Sequence, residues 1–122
     1  MHDLSELVGA EVRRIAFDYQ VTLLLVAGPA EAERVSASLQ IEAPLRVEHD
    51  GQVVECDPND KATHGGMTHI LHLVVTDASL DADDTLRLTF DDGTSLAVAR
   101  DVRYESWNLT GEGVPHIVMG PL

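Results

Sequence analysis

The sequence predicts a mainly β domain, α+β only at the margin, built as an antiparallel sandwich or roll with one or two short helices. Three observations point there. Residues 85–90 alternate Leu86, Leu88 and Phe90 with Thr85, Arg87 and Thr89, which is the two-residue period of a half-buried strand. Asp50-Gly51 and Asp92-Gly93 punctuate apolar runs in the way hairpin turns do. Segments 38–48 (SLQIEAPLRVE) and 95–105 (SLAVARDVRYE) align without a gap and share Ser, Leu, Arg and Glu at matching places. That echo suggests a duplicated strand unit about a pseudo-twofold axis; two copies are too few for a solenoid.

Taken in order, residues 1–9 suit one helical turn around Leu4, Leu7 and Val8. Strands are expected at 11–17 and 21–26, the second so continuously apolar that both faces should be buried. After the Gly28-Pro29 break come strands at 35–41 and 45–48, a turn at 49–52, and Val53-Val54. Residues 55–66 read as a loop, rich in Pro, Asn, Asp and Gly. Met67, Ile70, Leu71 and Val74 fall at helical spacing, so a short helix at 67–72 with a strand beginning near Val74 is preferred over the competing reading, a strand over 69–76. The alternating hairpin 85–99 follows, then strands at 102–109 and 116–119 around a loop at 111–115.

The length fits a single β-rich domain, residues 1–122, with room for a real core. Its 21 acidic and 8 basic residues give a formal charge of -13. That field repels phosphate backbones and anionic membranes, so neither nucleic acid nor membrane is an expected partner. A basic protein, a cation or a neutral ligand is compatible. Cys56 is the only cysteine, which fits a reducing compartment. The first residues lack the basic-then-apolar pattern of a signal peptide, and the apolar run at 21–27 is too short to span a bilayer. The expected location is the cytoplasm.

Candidate chemistry is sparse. His64, His69 and His72 lie close together, and on a helix His69 and His72 share a face, so the three imidazoles are a candidate zinc site. Neither HExxH nor an EF-hand spacing is present, and Asp83, Asp84, Asp91 and Asp92 read as a solvated acidic rim available to a basic partner. Cys56 sits between Glu55 and Asp57, which disfavour a thiolate, so a packed thiol is expected. Tyr104, Glu105 and Trp107 mark a candidate interaction surface. No phosphate loop or nucleophile elbow occurs, so no enzyme, no catalytic residue and no cofactor is expected.

Gly9 to Val12, Asp18, the Leu88 to Leu96 hairpin and the Tyr-Glu-Ser-Trp-Asn-Leu run from Tyr104 to Gly111 together resemble an uncharacterised family of small actinobacterial proteins. The resemblance covers nearly the whole chain, and Tyr104 to Trp107 is its most specific part. It implies a buried Asp18 and a final Pro-Gly-Gly strand, from which the ending HIVMGPL departs. It implies no activity. Small acidic β proteins of this kind resemble immunity proteins of toxin systems at the level of fold. The expectation is an interaction module, immunity-like toward a basic partner, and a homodimer through an exposed sheet edge. The alternative is a small-ligand or metal-binding domain using His64, His69 and His72.

Overall fold

The computed structural model describes residues 3–121. They form ten strands: β1 (Glu11–Phe17), β2 (Val21–Ala27), β3 (Val35–Ile41), β4 (Leu45–His49), β5 (Gln52–Cys56), β6 (Val75–Leu80), β7 (Leu86–Phe90), β8 (Ser95–Val98), β9 (Trp107–Glu112) and β10 (Ile117–Met119). A 3₁₀ turn covers Ser5–Leu7, and a 3₁₀ helix covers Lys61–Ile70. Two five-stranded antiparallel sheets, ordered β1-β2-β3-β9-β10 and β5-β4-β8-β7-β6, form a sandwich around one core.

The order reveals how the duplication is built. Each half makes a three-stranded meander (β1-β2-β3 or β6-β7-β8) and then sends its terminal hairpin (β4-β5 or β9-β10) into the other half's sheet. The halves thus exchange hairpins across the core. Local details repeat at one constant spacing. The bulge at Val12/Arg14 in β1 recurs at Val75/Asp77 in β6. Glu11 bridges Val74, its own counterpart, so the pseudo-twofold axis passes there. Around it the hydrogen bonds come in matched pairs. Val12 N–H donates to Leu73 O (2.9 Å) as Val75 N–H donates to Ala10 O (2.8 Å). Gly9 N–H donates to Val75 O (2.8 Å) as His72 N–H donates to Val12 O (2.8 Å).

The ungapped echo holds only for its first half. Ser38 to Ile41 ends β3 as Ser95 to Val98 ends β8. Beyond that, Val47 faces Leu96 as Leu109 faces Leu39, so Leu109 rather than Tyr104 is the counterpart of Val47. The second crossover, residues 99–106, is longer than the first, residues 42–44, and is not a strand. This corrects the expected strand at 102–109 and moves β9 into the expected 111–115 loop.

It also corrects Trp107, which was expected at an interaction surface. With the strand phase reset at Ser106, Trp107 sits opposite Ile41 and is wholly buried, the largest side chain in the core. Truncating such a residue to alanine typically costs about 3–5 kcal/mol. β2 is less enclosed than its apolar run suggests, because Thr22 and Leu24 on the outer face are half-exposed while Val21, Leu23 and Leu25 are buried. Asp18, which the resemblance implied to be buried, is exposed in the β1–β2 turn.

The helix expected at 67–72 begins earlier. Asp60 accepts a hydrogen bond from Ala62 N–H (3.1 Å) and caps it, and Met67 and Ile70 anchor it in the core. It ends at Ile70 because His72 takes the left-handed conformation (φ 72°) that Gly9 (φ 93°) takes in the other half. Gly66 lets the helix lie against β5, since a Cβ there would fall 2.2 Å from Val54 Cγ1.

Candidate metal centre

The three histidines picked out by proximity in sequence do not converge. His64 stacks on Phe17, ring centroids 4.6 Å apart, and its Nε2 reaches the carbonyls of Asp57 (3.1 Å) and Pro58 (3.2 Å). His72 is exposed beyond the helix end, turned aside by its positive φ. Only His69 meets other ligating groups, and its partners come from distant strands.

Those partners are His49 at the end of β4, and Asp92 and Thr94 in the β7–β8 turn. His69 Nε2 lies 2.9 Å from Asp92 Oδ2 and 3.1 Å from Thr94 Oγ1. His49 Nδ1 lies 2.9 Å from Thr94 Oγ1 and 3.8 Å from Asp92 Oδ2. The imidazole centroids are 4.3 Å apart. One donor atom from each of His49, His69 and Asp92 fits within a 4.8 Å span. Four ligands around zinc at about 2.0–2.1 Å stand roughly 3.3 Å from one another. The 2.9 and 3.8 Å separations of the two imidazoles from Asp92 Oδ2 bracket that value.

Asp50 Oδ2 lies 3.2 Å from His49 Nε2, on the side of the ring away from the cluster. The wholly buried Thr94 hydroxyl sits between the two imidazoles, within hydrogen-bond distance of His49 Nδ1 and His69 Nε2. Hydrogen bonds from the Thr94 side chain and backbone N–H, followed by the neighbouring His69, hold the Asp92 carboxyl down at about 2. Asp92 is therefore an anion throughout the neutral range. The group opens onto a cleft of about 250 Å³ bordered by Gln52, Val54, Gly65 and Gly66.

The acidic and aromatic candidates are scattered. Asp91 and Asp92 lie at one end of β7, whereas Asp83 and Asp84 lie at the other, where Asp84 pairs with Arg100 (3.2 Å) and Asp83 caps Thr85 N–H (3.3 Å). Tyr104 and Glu105 sit on the second crossover. Cys56 is buried, and its burial pushes the thiol up, away from reactivity. Sequence reasoning missed His49 because it looked like turn chemistry in His-Asp-Gly; the sheet register that places it near Thr94 was the signal required.

A family model, the family of unknown function DUF6188, matches residues 3–122. The chain belongs to this family. No curated protein and no solved structure matches this DUF6188 chain. Among its described residues, no helix is long and apolar enough to cross a membrane.

Proposed function

We propose that this DUF6188 domain is a binding domain whose ligand is a divalent transition metal held by His49, His69 and Asp92. The observation that supports it is the convergence of two imidazoles, which border a cleft, with a carboxylate that is ionised at neutral pH. Nitrogen-rich donor sets suit zinc, copper and nickel over magnesium or calcium. Three protein ligands leave a fourth position open toward Gly65 and Gly66, where a water or a partner's side chain completes the shell. A metal takes imidazole in its neutral form, so affinity falls on acidification.

The test is a thermal-shift and calorimetric titration with Zn²⁺, and an absorption titration with Co²⁺. Saturable stabilisation is expected, about 2.7 kcal/mol when the metal is at a hundred times its dissociation constant. It should vanish in His69→Ala and Asp92→Ala and persist in His64→Ala and His72→Ala. No stabilisation by any of these divalent ions, or an undiminished effect in His69→Ala, would end the proposal.

A second reading rests on charge. Arg13, Arg34, Arg46, Arg87, Arg100 and Arg103 each lie beside a carboxylate of the same chain, which leaves the surplus of the -13 charge on exposed Asp and Glu. That surface favours an interaction module for a basic partner, immunity-like in character. Its association must weaken steeply with salt. Binding indifferent to salt counts against it.

A further inference from the structure

The outer face of the β5-β4-β8-β7-β6 sheet carries an arginine-bordered notch in a strongly acidic chain. Along one cross-strand row, Arg46 of β4 and Arg87 of β7 both pair with Ala97 of β8. The small alanine leaves a gap between two long side chains. Together with Ala99, Arg100, Glu55 and Asp101 it borders a cleft of about 330 Å³. Neighbouring strands lie about 4.8 Å apart, so the two arginine stems rise roughly 10 Å from each other, within reach of a single small anion.

The pseudo-twofold provides a control. The corresponding row in the other sheet is Thr22–Gln40–Asn108, paired in the same way and uncharged. The fold therefore does not require arginine in this row. Three of the chain's 8 basic residues border this one cleft. Each is also met by a carboxylate, and Glu55 and Asp101 border the same cleft. Asp81 takes Arg87 Nε (2.7 Å), and Glu55 stands 3.6 Å from Arg46 Nε. Among the described residues, the terminal guanidinium nitrogens of Arg46 and Arg87 have no hydrogen-bond acceptor within range. Arg100 is held by Asp84 and by the carbonyls of Gly120 and Pro121, and serves as a fixed wall.

We propose that this notch binds a small organic anion, with its carboxylate or phosphate between the Arg46 and Arg87 forks and its short apolar body on Ala97 and Ala99. Guanidinium forks match such oxyanions with parallel charge-assisted hydrogen bonds. The overall negative field excludes polyanions, whereas a small anion reaches the unpaired ends of the two forks, in competition with Glu55 and Asp81. The site is independent of the His49–His69–Asp92 cluster.

The experiment is an NMR titration of the intact chain, reading backbone amides and arginine Nε–H groups. Inorganic phosphate and butyrate are the probes, with chloride at matched ionic strength as the reference. Saturating shifts are expected at Ala97, Ala99, Arg46 Nε and Arg87 Nε, with a dissociation constant of about 1 mM. The Arg46→Gln/Arg87→Gln double variant should bind about tenfold more weakly or worse, and Arg103→Gln should match the wild type. Saturation by phosphate alone identifies a phosphate-bearing ligand, and saturation by butyrate alone a carboxylate. Linear drift equal to that of chloride, or undiminished saturation in a folded double variant, overturns the proposal.

Discussion

The two halves of this molecule place different chemistry at related positions. In the first half, Arg34 leaves the β2–β3 loop and donates to the carbonyls of Glu6 and Val8, both at 2.9 Å, around the N-terminal 3₁₀ turn. In the second half, Asp92 leaves the β7–β8 turn and meets His69 of the matching 3₁₀ helix and His49 of the exchanged hairpin. Both arrangements tie a helical turn to the end of a meander. The arginine clasp spends its donors on backbone carbonyls and offers nothing further. The histidine cluster brings two imidazole nitrogens and a carboxylate oxygen within 4.8 Å of one another. A latch does not need two imidazoles, as the Arg34 end demonstrates, so the His49–His69–Asp92 end carries more than the fold asks for.

The largest expected effect separates the two ends outright. His69→Ala should remove the whole metal-dependent stabilisation, about 2.7 kcal/mol at a hundredfold excess over the dissociation constant. Arg34→Ala should leave that stabilisation intact. A metal response that survives His69→Ala, or that disappears with Arg34→Ala, breaks the contrast. Next in size, Arg34→Ala should lower metal-free stability by about 1 kcal/mol, because it removes two hydrogen bonds whose exposed carbonyl acceptors turn to water instead. Urea unfolding of the metal-free protein measures it. A change within error would mean that the first end needs no latch.

How much of this was visible in the sequence follows from range of interaction. The hairpin β7–β8 was legible because Leu86, Leu88, Phe90, Leu96 and Val98 alternate locally. The helical turn near Leu7 and the strand near Val75 were legible for similar reasons. The duplication was legible at Ser38 and Ser95, but its phase was lost at the second crossover, where local patterning cannot count inserted residues. Trp107 was misplaced for that reason. The site was half legible. His69 was identified, but His49 and Asp92 reach it only through the β4–β8 pairing, a contact between residues far apart in the chain. His64 and His72 were near in sequence, yet stacking on Phe17 and a left-handed backbone send them elsewhere.

The backbone at the axis gives a smaller and cleaner comparison. Gly9 and His72 hold the same left-handed conformation, and each donates its N–H to the opposite half. Glycine adopts it without penalty, whereas a side-chain residue is strained there. His72→Gly should therefore raise stability by about 0.5–1 kcal/mol, and Gly9→Ala should lower it by about 1 kcal/mol or slightly more. Thermal unfolding of the two variants is the measurement. If His72→Gly destabilises, the His72 side chain makes a contribution that its exposure does not suggest.

The smallest effect concerns acid. Asp92 has its folded-state value depressed from 3.8 to about 2, chiefly by the Thr94 hydrogen bonds. A depressed carboxylate contributes stability that is fully present above its unfolded value and is lost as pH falls through the folded one. The stability difference between wild type and Asp92→Asn, measured by urea unfolding without metal, should be constant above about pH 5 and shrink from about pH 4 toward pH 2. The difference between wild type and Arg34→Ala should change less over the same window, because the clasp's hydrogen bonds end on carbonyls that do not titrate and the Glu6 carboxylate stands off at 3.8 Å. If the two differences fade together, the ends share one electrostatic role and the cluster loses its claim to a separate one. If only the Asp92 difference fades, the charge that a cation would meet is tied to the cluster itself, where the Thr94 hydrogen bonds keep it in place with or without metal.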